Sequence, residues 1–342
     1  MKQNDLGKTG LKVSEICLGT ATFGGAGSYE RVGQVDQADA DRIIATAMDN
    51  GINLFNTAEH YSAGLAEERL GKALGAKRKD VIVIDKVCPK RPTENEKGGL
   101  SREHIFARCE ASLKRLGTDY IDIYELHIFD PIVPLEETLG ALDELVHQGK
   151  VRYFGCSNFA GWQFMKGLSI SDTNGWNRFT TLESKYTLLA RELENELIPA
   201  CIDQGVEIFA FAPLHGGYLS GKYARNKPWP LNTRIQEPIT DANSFNAIDL
   251  ELLYNIIDEL SAIANDRNIA IAHVALNYLL RKPGIRSLIV GVRNTEQLED
   301  NLKASGWELT SEEVSRIDKI SEPVGLHPYR ENKFGFLYSP EA

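Results

Sequence analysis

Short apolar runs recur along this chain at residues 15–18, 54–56, 81–87, 121–127, 151–157, 179–183, 207–212 and 287–290. Between them apolar positions fall at helical spacing over residues 39–49, 66–74, 101–116, 135–148, 159–168 and 194–204. Two further helical stretches, 250–265 and 271–280, precede the last run. Runs this short, separated by periodic stretches, read as strands alternating with helices. Asp249 is placed to cap the helix that begins at Leu250, since a short carboxylate can accept from the first free amides. Strands joined through helices pair in parallel, with right-handed crossovers. Eight such units fit a closed barrel better than an open sheet, and the doubly wound alternative lacks a G-x-G-x-x-G after its first strand. The predicted fold is thus α/β, a (β/α)8 or TIM barrel, in one domain over residues 1–342. Residues 6–14, with Gly10 near the turn, add an N-terminal β-hairpin.

The pattern breaks in three places. Residues 19–37 are glycine-rich, and residues 223–246 and 321–342 are irregular. Loops this long in a compact fold commonly carry function. Trp229, Phe245, Tyr329, Phe334, Phe336 and Tyr338 are expected to give them an apolar mouth over the C-terminal rim of the barrel.

Composition narrows the partners. A chain of 342 residues that is 42% hydrophobic can bury a full core, and its net charge of -10 argues against nucleic acid or an anionic membrane surface. No apolar run is long enough to span a bilayer, and no signal-like segment follows Met1. Five cysteines lack paired or ligand spacing, which reads as reduced thiols in a cytoplasmic protein. No two histidines share metal-ligand spacing, so a metal-dependent hydrolase is disfavoured and no metal is expected.

A barrel of this kind gathers its chemistry where strands end and the following loops begin. Lys86 lies near one strand end, on the face of Ile82 and Ile84, and His127 closes the next strand on the face of Ile121 and Ile123. Ser157 with Asn158, then Glu183, then Phe211 close the three that follow, and Tyr61 stands in the loop after Asn56. Taken singly each has a plain structural reading: a lysine reaching solvent, a hydrogen-bonded core histidine, a loop tyrosine. Their placement at successive strand ends favours a shared site.

These segments resemble those of the aldo-keto reductases. Residues Phe55-Asn56-Thr57-Ala58-Glu59-His60-Tyr61 through Glu67-Glu68 are similar to the family's F-D-T-A-x-x-Y-G-x-x-E-E. The resemblance implies that Tyr61 donates a proton to a carbonyl while NADPH supplies hydride, with Lys86 and His127 assisting. It also implies that Ser157 and Asn158, in Gly155-Cys156-Ser157-Asn158, hold the nicotinamide carboxamide together with the residue at Glu183. Phe211, ahead of Pro213 and Leu214, is similar to the aromatic residue that stacks on the ring, and the segment holding Gly216, Leu219, Gly221 and Lys222 to the pyrophosphate wrap. The stretch from Gly291 through Arg293 and Gln297 to Asn301 resembles the adenosine-phosphate segment, with Arg293 suited to a 2′-phosphate.

Two positions depart from the family pattern: Asn56 stands where it has Asp, and Glu183 where it has Gln. One carboxylate is lost and another appears at the same rim. Lys86 is expected to stay charged, with Glu183 or Glu125 supplying part of the missing field, and to lower the Tyr61 pKa from its ordinary value of about 10. The resemblance implies a small ketone, aldehyde or alcohol as substrate. The alternative is an NADPH-binding barrel with a regulatory or sensing role.

Overall fold

The computed structural model describes residues 1–89, 99–225, 227–231, 233, 235, 237–241, 244–323, 325, 327 and 329. Phe334, Phe336 and Tyr338, expected at the mouth, lie outside these residues. The chain opens with an antiparallel hairpin, β1 (Gln3–Asp5) and β2 (Lys12–Ser14). The parallel strands are β3 (Ile16–Gly19), β4 (Leu54–Asn56), β5 (Ile82–Val87), β6 (Ile121–Leu126), β7 (Val151–Ser157), β8 (Thr181–Lys185), β9 (Glu207–Phe211) and β10 (Ile285–Gly291). They close in chain order, with β10 beside β3.

Helices separate them: α1 (Gln37–Asp49), α2 (Leu65–Leu74), α3 (Arg102–Leu116), α4 (Leu135–His147), α5 (Gly161–Asn174) and α6 (Leu197–Gln204). α7 (Leu250–Arg267) and α8 (Ile271–Leu280) lie between β9 and β10, and α9 (Thr295–Leu302) and α10 (Ser311–Ser321) follow. Asp249 caps α7 through the Leu252 amide, as its position predicts. The pattern missed α10, a polar-faced helix that starts at a reciprocal cap between Thr310 and Glu313.

Alternation along the strands sorts side chains into two cores. Cys17, Leu54, Ile82, Ile84, Ile123, Phe209 and Ile289 fill the barrel, and Leu6 and Val13 of the hairpin close its lower end. Val83, Val87, Tyr124 and Leu126 face outward under the helices. Lys86 and Glu125, paired across β5 and β6, therefore point inward above the apolar layers.

Candidate active site

Tyr61 sits on a tight turn after β4, where Ser62 and Ala63 adopt left-handed backbone (φ 51 and φ 56) before Gly64. Such strain persists only where surroundings hold it. Ser62 accepts the Gly25 amide at 3.0 Å. A Cβ at Gly24 would lie 2.2 Å from the Ser62 Cβ, so the glycine-rich loop needs that residue to reach the turn. The loop also brings Tyr29, whose hydroxyl lies 3.0 Å from His60 Nε2 and whose ring lies 5.2 Å from Tyr61.

Lys86 has no exposed surface. Its ammonium donates to Asn56 Oδ1 at 2.7 Å and to the Thr57 carbonyl at 2.9 Å, and lies 3.4 Å from Glu183 Oε2. Asn56 Nδ2 in turn donates to the same Glu183 oxygen at 2.7 Å. The amide thus bridges a lysine and a carboxylate without carrying charge itself. At an effective dielectric of about 20, the attraction across that separation is about 5 kcal/mol, comparable with the several kcal/mol needed to dehydrate an ammonium. Burial works against the Lys86 charge, but the Glu183 carboxylate beside it opposes burial, and its pKa is held above the ordinary value.

The two carboxylates differ. Glu183 accepts from Asn56 and pairs with Lys86. Glu125 accepts from the Thr181 hydroxyl at 2.7 Å, and burial followed by the Glu183 charge pushes its pKa well up, so it is held as the acid. The counter-charge to Lys86 comes from Glu183.

The Lys86 ammonium lies 5.2 Å from the centre of the Tyr61 ring. The net effect on Tyr61 corrects the expected lowering. Burial raises its pKa and Lys86 only partly offsets this, leaving it pushed up to about 12. The His127 ring stands 5.8 Å from Tyr61, and its buried Nδ1 has no hydrogen-bond partner among the described residues. Burial, then Lys86 and His60, hold the His127 pKa well below the usual range, so the imidazole is neutral. His60 is likewise lowered to about 4, by burial and then Lys86.

Asn158, also left-handed (φ 57), donates to the His127 carbonyl at 3.0 Å and to Ser157 Oγ at 2.9 Å, which ties the β7 end to β6. Phe211 lies parallel to Phe245 at 6.0 Å, and Lys185 donates to the Phe245 carbonyl at 2.6 Å. Phe245 thus stands at the rim as expected. Trp229 does not: it packs onto Tyr218 and Tyr223, against the outer core.

After β9 come buried Pro213 and partly buried Leu214, then a turn in which Gly216 (φ 68), Gly217 (φ 108) and Gly221 (φ 84) are left-handed. Leu219 anchors this turn in the core, and Lys222 is exposed. A Cβ at Gly217 would meet nothing within 4 Å among the described residues, so the backbone there leaves room for a ligand. Gly291 ends β10 beside Gly19. Asn294 then caps α9 through the Gln297 amide, and Gln297 Oε1 accepts from the Arg293 amide at 2.9 Å. The Arg293 side chain makes no ion pair among the described residues, and Asn301 lies partly buried near the end of α9.

The structure therefore brings Asn56, Tyr61, Lys86, His127 and Glu183 into one cluster, with Ser157 and Asn158 attached. The β9 and β10 segments form a neighbouring group on the same rim. Sequence reading passed over Tyr29, His60 and Cys88. His60 carried a signal, standing next to Tyr61; Tyr29 and Cys88 become neighbours only through the fold. Among the described residues no helix is long and apolar enough to cross a membrane.

Comparison with known proteins agrees with the geometry. Residues 15–322 match the model of the Aldo/keto reductase family. Versiconal hemiacetal acetate reductase of Aspergillus parasiticus is 33% identical, over 96% of this chain and 99% of its own length. An oxidoreductase of Bacillus subtilis, YrpG, is 35% identical over 94% of this chain and 96% of its own. A protein of Arabidopsis thaliana described as a probable voltage-gated potassium channel subunit beta is 31% identical over 98% of this chain and 100% of its own. A strand-end cluster of this composition, on a barrel matched along almost its whole length, leads to one conclusion: the chain belongs to the aldo/keto reductase family.

Proposed function

We propose that this protein interconverts a ketone or aldehyde with the corresponding alcohol, using NADPH and NADP+. The observation that carries this reading is the single cluster of a tyrosine, a fully buried lysine and a histidine at adjoining strand ends. When bound, the nicotinamide supplies hydride to the carbonyl carbon. Tyr61 then donates its phenolic proton to the developing alkoxide oxygen. With a pKa near 12 it stays protonated through the neutral range. Lys86 stabilises the phenolate left behind, and neutral His127 donates a ring N–H to orient the carbonyl oxygen.

The residues fit the cofactor. Ser157 and Asn158 have locked side chains beside the cluster, and Phe211 offers a ring face. Glu183, at the carboxamide position by resemblance, is engaged by Lys86 and Asn56. Pro213, Leu214, Gly216, Leu219, Gly221 and Lys222 suit the pyrophosphate, and Gly291, Arg293, Gln297 and Asn301 the adenosine end. Arg293, which has no ion-pair partner among the described residues, supports NADPH over NADH through the charge of the 2′-phosphate.

A second reading, an NADPH-binding barrel with a regulatory or sensing role, is favoured by the likeness to proteins described as channel beta subunits. Following NADPH and NADH absorbance against a panel of carbonyls separates the two. NADPH-driven reduction is expected, and Tyr61→Phe should lower it by roughly 10²–10⁴-fold with NADPH affinity nearly unchanged. Near-normal turnover in the variant would remove Tyr61 from the mechanism. Tight NADPH binding without turnover of any carbonyl in the wild type would favour the second reading.

A further inference from the structure

Three side chains beside Tyr61 form a set that carbonyl reduction does not use as a set. One ligand atom each from His60, Cys88 and His127 lie within 4.8 Å of one another. They follow three different strands, β4, β5 and β6, so no sequence spacing reveals them. Cys88 Sγ is 3.3 Å from His60 Nδ1, and the His60 and His127 rings are 4.5 Å apart. All three residues are partly exposed, whereas Cys17, Cys109, Cys156 and Cys201 are buried.

We propose that His60, Cys88 and His127 form a binding site for a borderline-soft divalent cation such as Zn2+, and that the bound ion inhibits the enzyme. A tetrahedral zinc with bonds of about 2.0–2.3 Å separates its ligand atoms by roughly 3.3–3.7 Å. The Cys88–His60 pair already stands at that separation, and the His127 nitrogen lies within 4.8 Å of both. The surroundings are those a metal site requires. The Tyr29 hydroxyl holds His60 Nε2 at 3.0 Å, leaving Nδ1 toward the thiol, as an outer partner orients a ligating imidazole. The Cys88 amide donates to Glu59 at 2.9 Å, and His104 Nε2 lies 3.0 Å from the Cys88 carbonyl, so the backbone is fixed on both sides. Glu59 is itself paired with Arg108.

Coordination displaces the Cys88 thiol proton to solvent and leaves a fourth position for water. It also takes the His127 imidazole away from the substrate oxygen. Inhibition should therefore compete with the carbonyl and not with NADPH; this consequence rests on the proposed reductase activity, whereas binding itself does not.

Titration of the tag-free protein with Co2+, a coloured stand-in for zinc, tests binding directly. One equivalent should bind with tetrahedral visible bands and a near-ultraviolet thiolate-to-cobalt band, both lost on adding Zn2+. Cys88→Ser should lose the thiolate band and bind Zn2+ at least about tenfold more weakly by calorimetry, while its metal-free reductase rate stays at the wild-type level. Zinc should inhibit carbonyl reduction by the wild type, and by Cys88→Ser only at about tenfold higher concentration or more. Absence of bound cobalt, or a thiolate band that survives in Cys88→Ser, would overturn the proposal. A protein that reduced no carbonyl would leave the cobalt spectrum as the decisive readout.

Discussion

Lys86 and Asp85 are neighbours on β5, both without exposed surface, and burial has opposite outcomes for them. Lys86 points into the barrel, where two acceptors and Glu183 hold its charge. Asp85 points outward between β5 and the α2 and α3 helices, and among the described residues its carboxyl oxygens have no hydrogen-bond partner of good geometry, only weak help from Ser112 and the Lys86 backbone. The nearby Arg115 is engaged by Glu67 instead, at 2.6 Å. Burial, and then the Glu67 charge, push the Asp85 pKa well above the carboxylate range, so it is held as a neutral acid. A buried charge survives in this fold only where a counter-charge stands beside it, as Glu183 does for Lys86 inside the barrel and Arg115 for Glu67 outside it, and Asp85 has none of its own.

If the inward charge is the functional one, removing it should produce the larger effect. Lys86→Met should lower kcat/KM for carbonyl reduction by about 10²-fold or more, as expected when a preorganised charge beside the reacting oxygen is lost. It should also leave Glu183 buried without a cation, so a loss of thermal stability should accompany the kinetic loss; steady-state rates and a melting curve check both. Retention of activity within about threefold would place the ammonium outside the mechanism.

Asp85→Asn should do much less. An amide matches a protonated acid closely in shape and polarity. The rate and its pH profile should stay within about twofold of wild type, with a melting temperature shift of only a few degrees. A large kinetic effect would mean that Asp85 is ionised and acts on Lys86 through the strand, and the contrast between the two faces would fail.

Much of this was legible in the sequence because barrel strands obey a two-residue period. The period placed Lys86 with Ile82 and Ile84, and the structure keeps all three inside the barrel. The strand ends at Asn56, Ser157 and Phe211 also fall within a residue of their expected places. What was not legible depends on distance in the chain. Glu183 and Glu125 are equal candidates in sequence for the partner of Lys86, and only the closed barrel, which brings Glu183 of β8 within reach of Asn56 on β4, decides between them. The Tyr61 shift runs opposite to the expected lowering because the Lys86 charge is visible in sequence and the burial that opposes it is not. α10 follows the last strand–helix unit, so the barrel alternation does not require it, and the aromatic group around Tyr61 draws Tyr29 from a loop with no periodicity at all.

The central claim is that Glu183 supplies the charge absent at position 56, and exchanging the two positions tests it most directly. The measurement is the pH dependence of kcat/KM for carbonyl reduction, in which activity falls as pH rises through the pKa of the donor. Glu183 raises the Tyr61 pKa, so Glu183→Gln should move that fall to lower pH by about one pH unit. Asn56→Asp adds a carboxylate beside Lys86 and should move it to higher pH. The double variant, with one carboxylate again but on the other side of the lysine, should return close to the wild-type profile. A Glu183→Gln profile that stayed in place or moved to higher pH would contradict the account.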